Sequence, residues 1–263
     1  MAVLLAALLS VRNKAPTPSK LLQFPPQGAS QEHRWIEHIS HGPCGPAVDK
    51  FIQDAFQTAL QRNLQGSPPR QKSYQSIVTM AGHLAKTNTP QDATLAARKT
   101  LLELFPNWPP NPQDDRPGLL FWFEKIFVHN FPAFSAKLNA WITVLLGTWL
   151  VGPCSIADIS EHDVVEIGDG DSQLLVVHRC RFLDASACAS VCVNCCKLPT
   201  EAFFAEDMKL PVSIEPDYET LECRFKFGVR PSENSAEAAR TAACFSACPW
   251  GRRGGNRHGT EKE

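Results

Sequence analysis

Gly152-Pro153 divides the chain into two stretches of different periodicity. Before this pair, apolar residues recur three and four apart; after it they alternate in short β-branched runs. The switch predicts an α+β fold, a helical layer followed by a small antiparallel sheet with two further helices. From Asp49, a stripe of Phe51, Ile52, Ala55, Phe56, Ala59, Leu60 and Leu64 predicts a helix that Gly66, Pro68 and Pro69 stop. Tyr74, Ile77, Val78, Ala81, Leu84 and Ala85 mark a second. A third has good start signals: Thr89 can cap, Pro90 suits the first helical position, and Asp92 sits where a capping-box carboxylate belongs. Leu95, Leu101, Leu102 and Phe105 should then face inward. The proline-rich residues 106–118 read as a loop. Beyond them lies an almost wholly apolar run, then a helix bearing Phe134, Leu138, Trp141, Ile142, Leu145 and Trp149. Residues 49–152 thus read as about five helices.

After Pro153, Val164–Ile167 and Leu174–Val177 flank Gly168-Asp-Gly-Asp-Ser172, which predicts a hairpin. Helices are expected over Ser186–Cys196 and from Thr200 to about Met208, and strands at Leu210–Ile214 and Leu221–Phe227. Four regions follow: a targeting segment at 1–31, a helical region at 32–152, a cysteine-rich α+β region at 153–229 packed on it, and a cysteine-containing extension and tail at 230–263.

Residues 1–31 hold no Asp or Glu but carry Arg12, Lys14, Lys20, Ser10, Thr17 and Ser19, the composition of an organelle transit segment. Met1–Leu9 is apolar enough to suggest a secretory signal instead. A net charge of −1 argues against a general nucleic-acid binder, which needs a basic surplus. No apolar run reaches the roughly 18–20 residues of a membrane span; the nearest is Trp141–Val151.

Eight of the ten cysteines fall between Cys180 and Cys248, which suggests a local site rather than general stapling. On a helix, Cys188, Cys192 and Cys195 or Cys196 would share one face at a spacing too wide for disulfides. Such thiols suit a metal or an iron–sulfur cluster, with Cys180, Cys223, Cys244 and Cys248 as further ligands. A reduced thiol core and a Cys244–Cys248 disulfide are the competing readings. Cys188-x3-Cys192-x2-Cys195 matches the spacing of radical S-adenosylmethionine clusters, but no βα repeats accompany it. His129, His178 and Glu124 are weaker candidates for iron or acid–base work.

Residues 178–204 (HRCRFLDASACASVCVNCCKLPTEAFF) and 210–229 (LPVSIEPDYETLECRFKFGV) resemble the plastid β-carotene isomerase family that opens strigolactone synthesis. The likeness extends to Asn139-Ala-Trp-Ile-Thr143 and Trp149-Leu-Val-Gly-Pro-Cys154. It covers roughly residues 73–248. Cys154, Cys180, Cys188, Cys192, Cys196, Cys223, Cys244 and Cys248 fall on the family's cysteine pattern; Cys195 does not and reads as an extra. The resemblance implies a plastid protein containing iron, as a mononuclear centre or an iron–sulfur cluster. It also implies exchange of all-trans and 9-cis β-carotene, or of a related carotenoid. It supplies no catalytic residues. The expected substrate groove would draw on Phe121, Trp122, Phe123, Trp141 and Trp149. A lipid-dissolved substrate implies peripheral contact with a plastid membrane, to which Arg252, Arg253 and Arg257 in the tail are candidate contributors.

Overall fold

The computed structural model describes residues 43–64 and 71–235. Five helices precede Gly152 among them: α1 (Pro46–Arg62), α2 (Tyr74–Thr87), α3 (Pro90–Leu102), α4 (Gly118–Phe123) and α5 (Pro132–Val151). The caps explain their starts. The Thr89 hydroxyl accepts the Asp92 N–H at 3.2 Å and donates to the Asp92 carboxylate at 2.7 Å. Ser73 caps α2 by accepting the Ser76 N–H at 3.1 Å. On α3 the inward face is Ala93, Ala97 and Thr100 rather than Leu95, which is exposed. Small residues there let α3 lie close against its neighbours, and the leucine is turned outward.

The sheet is wholly antiparallel, in the order β1-β2-β4-β3. Its strands are β1 (Cys154–Ala157), β2 (Leu174–Val177), β3 (Val212–Pro216) and β4 (Cys223–Phe227). The expected hairpin is corrected here. β2 pairs with Cys154–Ala157, and Val164–Ile167 forms no strand. Val164 is exposed, so that run has no buried face to hold it in a sheet. The 158–173 connection is organised instead by buried Gln173. Its Oε1 accepts the Asp169 and Gly170 N–H groups, and its Nε2 donates to the Ile167 and Phe227 carbonyls.

One face of the sheet, with Leu175, Val177, Val212, Ile214, Phe225 and Phe227, packs on α5, and the same core takes in Ala136 and Ala140 of α5 and Val78 and Ala81 of α2. The main core therefore joins both halves of the chain. The helix α5 is long and apolar enough by composition to cross a membrane, more than the sequence reading allowed. The difference arises because the helix begins at Pro132, nine residues before the apolar run. Only 39% of its most apolar window is buried, and the buried side packs against the sheet and α6 (Arg181–Ser186).

After α6, Ala187 takes left-handed backbone (φ 45°) and breaks the helix. A second helical stretch follows: α7 (Ala189–Cys192), a π turn (Val193–Lys197), α8 (Leu198–Ala202) and a second π turn (Phe203–Asp207). The helix expected over Ser186–Cys196 thus starts later and loses its regular 3.6-residue phase at Val193.

Arg116 ties the proline-rich loop to this stretch. It donates to Asp114, to the Glu124 carboxylate at 2.8 Å and to the Asp207 carbonyl at 2.9 Å. Arg98 of α3 holds Asp207 through two 2.8 Å bonds and also reaches Glu206. Hydrogen bonding from Arg116 holds the Asp114 carboxyl at about 2, against an ordinary 3.8. A depressed acid stabilises the fold above its unfolded value, and that contribution is lost as pH falls from about 4 through about 2. Asp114→Asn should therefore have a lower urea midpoint than wild type at pH 7, with the gap closing near pH 2. An unchanged gap would show that the contact does not persist in solution.

Candidate functional site

The chain geometry draws four of the expected thiols together. Cys180 caps α6, and its Sγ accepts the Leu183 N–H at 3.4 Å. Cys192 ends α7, Cys196 lies in the π turn, and Cys223 opens β4 opposite Val177 and Pro216. Burial raises all four thiols above their usual range, and Cys192, Cys196 and Cys223 are each raised further by others of the set. Cys192 is raised further by Cys196, Cys223 and Cys180, while Lys197 draws it down. At neutral pH these are uncharged S–H groups.

Cys188 belongs to the same buried core. It is the N-cap residue of α7 rather than a helical position, and the group it raises is Cys195. The extra residue of the π turn redirects Cys195 toward α2, where its Sγ donates to the Ala81 carbonyl at 3.4 Å. Burial lifts Cys195 to about 12. Cys154 lies at the start of β1 with its Sγ 3.4 Å from the Thr148 hydroxyl. No disulfide is recorded among the eight described cysteines. Cys244 and Cys248 lie outside the described residues, as do Arg252, Arg253 and Arg257.

Cys195 is the residue the sequence reading undervalued. With Cys196 it walls an apolar cavity of about 50 Å³ between Phe56, Leu60, Ile77, Leu84, Leu101 and Leu150. The signal available was the adjacent Cys195-Cys196 pair, of which a regular helix would turn one member away. A larger, open cleft of about 490 Å³ lies on the other side of the turn, lined by His162, Asp163, Lys197, Glu215, Tyr218 and Arg230. Its lining mixes these charges with apolar Val164, Ile214 and Val229.

The aromatic candidates are dispersed. Trp149 is buried beside the cavity, edge-on to Phe56 at 5.9 Å. Phe121 and Trp122 pack on each other near Arg116, and Phe123 stacks on Phe127. Trp141 faces outward from α5. Glu124 is buried and paired with Arg116, which holds it below the usual range despite burial.

Residues 149–236 match the family model described as beta-carotene isomerase D27-like, C-terminal. The chain carries a D27-like C-terminal domain. Two curated relatives are each described as beta-carotene isomerase D27, chloroplastic. The one from Arabidopsis thaliana is 30% identical over 124 residues, 47% of this chain and 45% of that protein. The one from Medicago truncatula is 27% identical over 106 residues, 40% of each. The chain thus spans less than half the length of the curated relatives it matches. No solved structure matches it. The D27-like domain contains the sheet, both π turns and every thiol from Cys154 to Cys223.

Iron needs convergent, deprotonated donors. Among the described residues no group of three or more His, Cys, Asp or Glu is placed to hold a metal ion. The described part of the D27-like domain therefore does not by itself fit the metal that the resemblance implies.

Proposed function

We propose that the chain is a plastid cis/trans isomerase of carotenoids, acting on β-carotene or a close relative. The observation that carries this reading is the D27-like domain at residues 149–236, whose π turn puts two thiols on an apolar cavity. The names of both relatives support the substrate class and the plastid location. Iron belongs to the reading through the resemblance alone.

Turning one double bond of a polyene requires its π bond to be broken transiently. A neutral thiol can add reversibly across that bond. A C–S and a C–H bond form as the π bond is lost, the remaining single bond turns, and elimination restores the S–H and the alkene. Nothing is consumed, and no oxidant is needed. Cys195 and Cys196 are the thiols placed to do this, because they are uncharged and face hydrocarbon. A dry 150 Å³ cavity takes a benzene ring, so about 50 Å³ admits only a short stretch of polyene. Binding then requires α1 to separate from α2 and α3, and the walls select which bond lies against the sulfurs.

The test incubates the full chain with all-trans β-carotene in D₂O, resolving isomers and measuring deuterium, iron and sulfide. The reading expects a 9-cis product carrying deuterium on the polyene. The Cys195→Ser/Cys196→Ser double variant should be at least about 100-fold slower, the lower end of what a positioned reacting group contributes. Isomerisation surviving in that variant would refute the thiol step. A wild-type chain that leaves the carotene unchanged, with or without added iron, would refute the function.

A further inference from the structure

We infer that the outer face of α5, with the turn preceding it, docks on the surface of a lipid bilayer. This rests on the isomerase reading, which gives the chain a membrane-dissolved substrate, and adds where the chain meets the membrane. The helix α5 is apolar on both sides: Ala136, Ala140, Trp149 and Val151 face the core, yet large apolar side chains also face outward. It buries Ser135, Asn139 and Thr148 against the protein, where Asn139 donates to the Ser135 carbonyl at 2.8 Å and the Ser135 hydroxyl to the Phe131 carbonyl at 2.9 Å. Outward it presents Phe134 (52% exposed) and Trp141 (49%), continued by Phe131 (57%) and Ile126 (48%). Half of the large exposed apolar side chains among the described residues thus fall between positions 126 and 141. Leu138 and Leu145 fill the same stripe at helical spacing.

The charges around this face choose the partner. Between Gly118 and Val151 the sole acid is Glu124, which is buried and paired with Arg116 and Lys125. The bases there are Lys125, His129 and Lys137. From the connection between β1 and β2, Asp169 reaches the rim and is held by Lys137 at 2.9 Å, with Asp158 and Asp171 close enough to act on the same lysine. A bare aromatic ridge edged by long basic side chains suits the bilayer interface, where rings sit at headgroup level and lysines reach outward. The far end of the same helix supplies Leu150 to the thiol-lined cavity, so docking would bring the cavity near the lipid.

The full chain should float with phosphatidylcholine vesicles, and more strongly when phosphatidylglycerol is included. The Phe131→Ser/Phe134→Ser/Trp141→Ser variant should lose at least about tenfold in bound fraction, since each ring removes apolar area worth roughly a decade. In the wild type, brominated lipid should quench tryptophan emission, and Trp141→Phe should lose most of that quench while still floating. A wild type left in the aqueous fraction, or a triple variant that floats unchanged, overturns the inference. So does a wild-type dimer that the triple variant converts to monomer, because the ridge would then join two copies of the chain. Flotation does not depend on turnover. A chain that floats but leaves detergent-dispersed carotene unchanged retains this inference and loses the isomerase reading.

Discussion

Replacing Lys197 with Met should cost about 3–5 kcal/mol in urea unfolding, the range for breaking a buried ion pair. Lys197 and Glu201, one turn apart, are both almost fully buried and meet at 2.7 Å. Their position explains why the pair is there. β3 is an edge strand, and Ile214 turns its N–H and C=O away from β4. The Glu201 carboxylate accepts that N–H at 2.8 Å, and the Lys197 ammonium donates to that carbonyl. Two side chains thus cap both outward-facing backbone groups of Ile214 on the edge strand. Elsewhere, replacing both partners of a buried pair by hydrocarbon is often neutral. Here the Lys197→Met/Glu201→Leu double variant should stay as unstable as either single one, because both Ile214 groups lose their partners. A double variant as stable as wild type would refute this account. Burial also raises the Glu201 carboxyl, against the pull of Lys197. A raised acid favours the fold below its folded value, so stability falls as pH rises out of the ordinary carboxylate range. Glu201→Leu should remove that slope.

The helical half was legible because its signals are local. Thr89, Pro90 and Asp92 announce α3 in four residues, and the stripe from Tyr74 to Ala85 locates α2. Inward faces were less legible, as Leu95 and Trp141 show. Which side of a helix is buried depends on what it meets, and small residues such as Ala136 and Ala140 win the close contact with the sheet. The false hairpin has a similar cause. Gly168-Asp-Gly-Asp-Ser172 does form a tight turn, but Gln173 uses its amide to close that turn against β4. A single buried amide with bonds to both sides of a loop leaves no periodic trace.

The thiol site was half legible. Concentration of cysteines located the region, and Cys180, Cys192, Cys196 and Cys223 do lie together. Spacing misled at Cys188 and Cys195, because a shared face requires an unbroken helix. The left-handed Ala187 makes Cys188 a cap, and the π turn rotates Cys195 onto the cavity wall. Neither irregularity has a propensity signal; both come from packing the turn against α2 and α3.

Gly228→Ala should destabilise the chain by about 2–5 kcal/mol and lower its melting temperature by roughly 4–20 °C. Gly228 follows β4 with φ 86°, a left-handed backbone that disfavours any Cβ. A Cβ there would lie 1.9 Å from the Ile167 carbonyl oxygen and 2.9 Å from the Gln173 amide nitrogen. Neither neighbour can yield. The Ile167 oxygen already accepts from Gln173, and the Gly228 carbonyl accepts the Glu166 and Ile167 N–H groups at 2.8 and 3.1 Å. The Gly228 N–H donates to the Pro211 carbonyl at 2.7 Å, which ties the end of β4 to the start of β3. Relief of the clash must therefore move β4, and with it Cys223 at the strand's other end. Thermal unfolding measures the loss, and the reactivity of the buried thiols toward a water-soluble maleimide measures the opening. An alanine variant with wild-type melting and wild-type thiol protection would show that this corner can relax without disturbing the sheet.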